Sequence, residues 1–202
     1  MTETIERTAP QGPATADSTH KPAAWACAAW AVSAIGLGGS LWLSLALKLK
    51  ACPLCFYQRT FVMGVFAVLG IGLLAERRRA DLLCLLALPL ALGGLGVAAF
   101  HEYLVMTNVL ECPRGLWGLG TAPAQSLGMF VVLTAMVGGG LWSSRRGGQT
   151  HWLPAVGGTA LLGLLLAWAS VASAPALPAP PPQPYDAATQ PLDTCRRPFA
   201  PT

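Results

Sequence analysis

The sequence predicts an all-α polytopic membrane bundle, a four-helix core followed by a fifth transmembrane helix. Three observations predict it. Of the 202 residues, 53% are hydrophobic and only 11% are charged. The apolar residues fall in blocks, whereas a soluble core would spread them along the chain. Five of these blocks approach the roughly 20 apolar residues that a helix needs to cross a hydrocarbon layer. The net charge of +4 is carried in short clusters between the blocks. It reads as a topology signal and argues against a nucleic-acid-binding surface.

The elements follow in order. Residues 1–22 are polar, include Glu3 and Glu6, and are expected to form a disordered cytoplasmic tail; these acids do not suit a signal-peptide n-region. The bundle is expected over 23–174, with spans at about 23–47, 54–75, 82–105, 127–142 and 153–174. The fourth is the shortest, and its glycines Gly138, Gly139 and Gly140 would pack closely against a neighbouring helix. Arg77, Arg78 and Arg79 between spans two and three, and Arg145 and Arg146 between spans four and five, mark the cytoplasmic side. The N-terminus then lies in the cytoplasm and the C-terminus outside, with Lys48 and Lys50 a small contrary signal. Residues 175–202 form a proline-rich periplasmic tail carrying Cys195, expected to behave as an extended, semi-rigid arm. The Ala-Ser-Ala ending at Ala174 resembles a signal-peptidase site, but Pro175 directly after it argues against cleavage.

This topology sorts the six cysteines. Cys27 and Cys84 fall at the cytoplasmic end and read as small apolar residues without a role. Cys52, Cys55, Cys112 and Cys195 share the opposite, oxidising side. An even number of thiols there suits a disulfide relay. Cys52 and Cys55 form a C-x-x-C at the start of the second span, where the free N–H groups of a helix N-terminus stabilise thiolate. Pro53 suits the first turn, since its missing N–H costs nothing there. Arg59 follows four residues after Cys55, one turn deeper on the same face. A cation at that depth costs several kcal/mol unless it is partnered, and it would favour both a thiolate and an electron-rich acceptor. His101, near the outer end of the third span, is expected at a comparable depth. Together Arg59 and His101 would make a polar notch facing lipid, suited to a quinone head group. Bland readings stand beside these: an arginine snorkelling to the interface, a static cysteine staple, and a histidine satisfied by a neighbouring helix.

The stretch C-P-L-C-F-Y-Q-R on the second span, the histidine late in the third and the cysteine-bearing loop after it resemble the bacterial disulfide bond formation protein B (DsbB) family, over about residues 41–142. The resemblance implies a membrane thiol:quinone oxidoreductase of the bacterial inner membrane. Such an enzyme reoxidises a periplasmic thioredoxin-like thiol oxidase of the DsbA type and uses ubiquinone or menaquinone. It implies further that Cys55 interacts with the quinone, that Cys52 exchanges with a second cysteine pair, and that Arg59 and His101 lie on the quinone side. The chain departs from that pattern. Its loop between spans three and four carries Cys112 alone, and a fifth span and tail are added. The two departures suggest each other's explanation, with Cys112 and Cys195 as the second redox pair. A non-enzymatic membrane subunit, holding a soft metal or stabilised by static disulfides, is the alternative.

Overall fold

The computed structural model describes residues 17–144 and 152–199, except 178, 182, 187 and 188, and the side chains of 17–21 and 152 are left undescribed. Residues 1–16 of the polar segment read as a disordered tail lie outside these residues, as do Arg145 and Arg146, whereas residues 17–22 belong to the first helix. Among the described residues there are five α-helices: α1 (Asp17–Leu45), α2 (Pro53–Ala75), α3 (Ala80–Met106), α4 (Ala122–Ser144) and α5 (Trp152–Ala172). Each contains a stretch long and apolar enough to cross a membrane. The fourth helix is longer than the 127–142 expected. It starts five residues earlier because Thr121 Oγ1 accepts the N–H of Ala124 at 3.2 Å and caps it, and because a proline in the first turn leaves no donor to satisfy. It runs on through Ser143 and Ser144, whose hydroxyls donate to the Gly140 carbonyl.

Helix α3 is the hub. It packs against α2, α4 and α5, and more than half of its apolar span is buried. The other four helices present Ile35, Leu45, Leu74, Val131, Leu164 and Trp168 outward. So much exposed apolar surface suits helices whose outer faces meet lipid. Helix contacts use small residues, as membrane packing without a water-driven term requires. A Cβ at Gly163 of α5 would come 2.8 Å from Leu92 Cβ and 2.9 Å from the Pro89 carbonyl. The absence of a side chain there is what lets α5 lie directly on the α3 backbone.

Chain direction alternates from helix to helix. The end of α1, the starts of α2 and α4 and the ends of α3 and α5 therefore gather at one end of the bundle. Cys27 and Cys84 belong to the other end. Cys84 is fully buried and faces Gly140 on α4, as a small packing residue would, while Arg77 donates to Cys27 Sγ at 3.6 Å.

Candidate redox site

The site begins where α2 begins. Cys52 is the N-cap of α2, and its sulfur accepts the N–H of Cys55 at 3.2 Å. Pro53 fills the first helical position. Three residues is just under one turn, so the two sulfurs stand side by side: the two thiols are hydrogen-bonded, Cys52 Sγ 2.8 Å from Cys55 Sγ, and both are free. Cys52 lies just outside the span. Its thiol is held well below the ordinary thiol range, chiefly by its hydrogen bond with Cys55, with His101 assisting and burial opposing.

The other two outer cysteines are joined. Cys112, in the loop after α3, and Cys195, in the C-terminal arm, form a disulfide across 83 residues of sequence. The arm is pinned on both sides of Cys195. Glu111 and Arg196 exchange backbone hydrogen bonds of 2.9 and 3.0 Å, and Arg196 Nε pairs with Glu111 Oε1 at 2.6 Å. Two residues before Cys195, Lys50 Nζ meets Asp193 Oδ2 at 2.8 Å, and the Lys50 N–H donates to the Asp193 carbonyl. The Arg196 guanidinium also lies over the Tyr185 ring, 3.5 Å from its centroid.

The two pairs meet at His101. This fully buried imidazole places Nε2 at 3.4 Å from Cys195 Sγ, 3.5 Å from Cys112 Sγ and 3.8 Å from Cys52 Sγ. The sulfurs of Cys52, Cys55 and Cys195 and a ring nitrogen of His101 all lie within 4.8 Å of one another. On its far side the ring meets Gln58: Gln58 Nε2 is 3.2 Å from His101 Nδ1, and Gln58 Oε1 accepts the Ser126 hydroxyl at 2.8 Å.

Arg59 takes a different direction. Its Nε donates to Ser40 Oγ at 3.0 Å, and its Nη2 donates to the Ser40 carbonyl at 3.1 Å and to Ser44 Oγ at 2.6 Å. Ser40 and Ser44 are four apart on α1 and so share a face. They give the guanidinium the partners that its depth demands. Arg59 lines a cavity of about 240 Å³ between α1, α2 and α4, together with Ser40, Ser44, Cys55, Gln58 and Ser126. Ile35, Leu43, Val62, Met129 and Phe130 supply its apolar wall. Cys195 reaches its edge, but His101 does not line it. The expected notch shared by Arg59 and His101 is thus divided: Arg59 faces the cavity, and His101 stands among the sulfurs, with Gln58 between them.

Reading the residues alone singled out the four cysteines, Arg59 and His101. It passed over Ser40, Ser44, Ser126 and Glu111, and took Gln58 only as part of a motif. A polar residue inside an apolar span is the signal that could have found the serines. Glu102, beside His101 in sequence, instead accepts the Thr121 hydroxyl at 3.4 Å.

The family model described as disulfide bond formation protein DsbB matches residues 22–125, a stretch that holds Cys52, Cys55, Arg59, His101 and Cys112 and ends before Cys195. A probable disulfide formation protein of Chlamydia trachomatis serovar D is 30% identical over 119 residues, 54% of this chain and 86% of that protein. Disulfide bond formation protein B 2 of Burkholderia lata is 37% identical over 89 residues, 41% of this chain and about half (52%) of that protein. No solved structure gives a significant match. With five apolar helices, a thiol pair capping one of them and a disulfide beside it, the chain is a multi-pass membrane protein that belongs to the disulfide bond formation protein DsbB family.

Proposed function

We propose that this protein is a thiol:quinone oxidoreductase of the bacterial inner membrane, with Cys52, Cys55, Cys112 and Cys195 as its catalytic residues. In this reading the N-terminus is cytoplasmic and the C-terminal arm periplasmic. The thiolate of a reduced DsbA-like partner attacks Cys112 and forms a mixed disulfide, releasing Cys195 as thiolate. The partner's second thiolate completes its own disulfide and releases Cys112. Cys195 attacks Cys52 of the Cys52–Cys55 disulfide, expelling Cys55; Cys112 then attacks Cys195 and expels Cys52. Two electrons have moved from the partner to the C-x-x-C pair, and Cys112–Cys195 is a disulfide again.

The observation that carries this reading is a distance: Cys195 Sγ lies within 4.8 Å of the sulfurs of both Cys52 and Cys55.

The cavity beside Cys55 suits a quinone head group, with apolar walls, a guanidinium and hydroxyls at one side and a thiol at its edge. A quinone bound there, ubiquinone or menaquinone, would supply the two-electron sink that regenerates the Cys52–Cys55 disulfide. Arg59, held by Ser40 and Ser44, is the residue placed to bind its oxygen and orient the ring toward Cys55.

Purified protein should couple oxidation of a reduced thioredoxin-like dithiol protein to reduction of an added quinone. Absence of turnover with any of several quinones, with Cys52 and Cys55 intact, would contradict the proposal. A second reading has one observation behind it. Once Cys195 is freed from its disulfide, Cys52, Cys55, His101 and Cys195 are four soft-metal donors in one cluster. Stoichiometric metal in protein purified without reductant, together with no turnover, would favour that reading.

A further inference from the structure

Among the described residues, His101 places one ring nitrogen beside both cysteine pairs. Three sulfurs surround its Nε2 at 3.4 to 3.8 Å. What the ring can do there depends on which nitrogen bears the proton, and its other neighbour decides that. Gln58 Oε1 accepts the Ser126 hydroxyl at 2.8 Å, and the amide nitrogen of Gln58 lies 3.2 Å from His101 Nδ1. An amide nitrogen can only donate, so Nδ1 must accept, and a neutral imidazole with Nδ1 accepting carries its proton on Nε2. Gln58 is nearly fully buried and His101 wholly so, which leaves water little access to compete for either group.

We propose that the chain Ser126–Gln58–His101 locks the Nε2–H tautomer, and that His101 thereby serves as the shared hydrogen-bond donor to Cys195, Cys112 and Cys52 as each becomes thiolate while electrons cross between the pairs. This rests on the relay order given above. In the first step the donor holds the Cys195 thiolate as it attacks Cys52. In the second, Cys112 thiolate attacks Cys195, the Cys195–Cys52 bond breaks, and Cys52 leaves with the electron pair. Cys52 leaves toward two donors, His101 Nε2–H and the thiol of Cys55 once Cys55 has taken a proton from solvent. His101 gives up no proton and gains no electron; it stabilises anionic sulfur throughout. Gln58 and Ser126 are positioning residues, acting only through the ring. Their task matches that of groups that fix the tautomer of a metal-bound histidine.

The test uses the full-length protein in detergent, freed of quinone and oxidised at both pairs. Ring-nitrogen NMR of protein labelled with ¹⁵N-histidine, with the His101 signals assigned by a His101→Gln variant, reads the tautomer directly. Nε2–H is expected, and Nδ1–H would overturn the proposal. One equivalent of dithiothreitol is then added, and acid-quenched peptide mapping follows the appearance of Cys52 and Cys55 thiols. Gln58→Leu should slow their appearance by about tenfold or more. Ser126→Ala should slow it by about threefold, and Ser126→Thr, which keeps the hydroxyl, should restore it to within about twofold. Wild-type rates in both Gln58→Leu and Ser126→Ala would overturn the role. Because quinone is absent, effects on the neighbouring cavity do not enter. If electrons never reach Cys52 and Cys55 in the wild-type protein, the relay fails and this inference with it; if they arrive with Nδ1–H, only this inference fails.

Discussion

The two cysteine pairs are built in opposite ways. Cys52 and Cys55 owe their proximity to three residues of helix and a proline at the first position; local geometry alone brings the sulfurs to 2.8 Å. Cys112 and Cys195 are 83 residues apart. They meet because α5 lies against α3 and because the arm is pinned by Glu111 and Lys50. The first pair should survive almost any change that leaves α2 intact. The second depends on tertiary structure that the matched stretch, ending at residue 125, does not contain.

The largest effect should come from Cys195→Ser. Quinone-linked oxidation of a thioredoxin-like dithiol should fall by about 100-fold or more, because residues acting as one unit fail together. Oxidation of Cys52 and Cys55 by quinone in a single turnover should continue. If that also stops, the two pairs are not separable in the way their construction implies.

Next in size is the cavity. Arg59→Leu should raise the KM for quinone about ten- to a hundredfold, as expected for a charged hydrogen bond of about 1.5–3 kcal/mol, and leave exchange between the pairs intact. Steady-state kinetics with varied quinone separates the two. Gly163→Leu attacks the second pair from a distance: a side chain forced against the α3 backbone should destabilise the protein by about 1–3 kcal/mol. Mass mapping should then show less Cys112–Cys195 disulfide, with the Cys52–Cys55 pair unaffected.

The pins rank last. Glu111→Gln removes a half-exposed ion pair, so the resistance of Cys112–Cys195 to dithiothreitol should fall by only about 0.2–1 kcal/mol, and less in high salt. The Asp193 tie is smaller again. The Lys50 hydrogen bond holds the Asp193 carboxyl below its ordinary value. A depressed carboxyl contributes fully above its unfolded pKa and loses that contribution as pH falls through the folded one. Disulfide stability should therefore show no dependence on this group near neutral pH, and Asp193→Asn should remove whatever dependence appears in acid.

Much of this was legible in the residues, for reasons that differ by region. The spans are readable because lipid demands continuous apolar length, and the C-x-x-C because its geometry is local. Ends were harder: α4 begins at a threonine cap and a proline, ahead of its apolar run. His101 was expected to share a notch with Arg59, since both sit near the outer ends of their spans. Depth does not set direction, however, and packing turns one toward α1 and the other among the sulfurs. Ser40, Ser44 and Ser126 could not be chosen from among the many serines without knowing which helices touch. The pairing of Cys112 with Cys195 was reachable only by supposing that a missing loop thiol and an extra span belong together.

The most direct test of that supposition removes the two cysteines that should not meet in the central exchange. In a Cys55→Ser, Cys112→Ser variant, the remaining outer thiols are Cys52 and Cys195. Peptide mapping without reductant should find them joined to each other in nearly every molecule, as sulfurs within 4.8 Å allow. Cys195 found free, or bonded to another chain, would mean that the arm does not hand electrons to the head of α2.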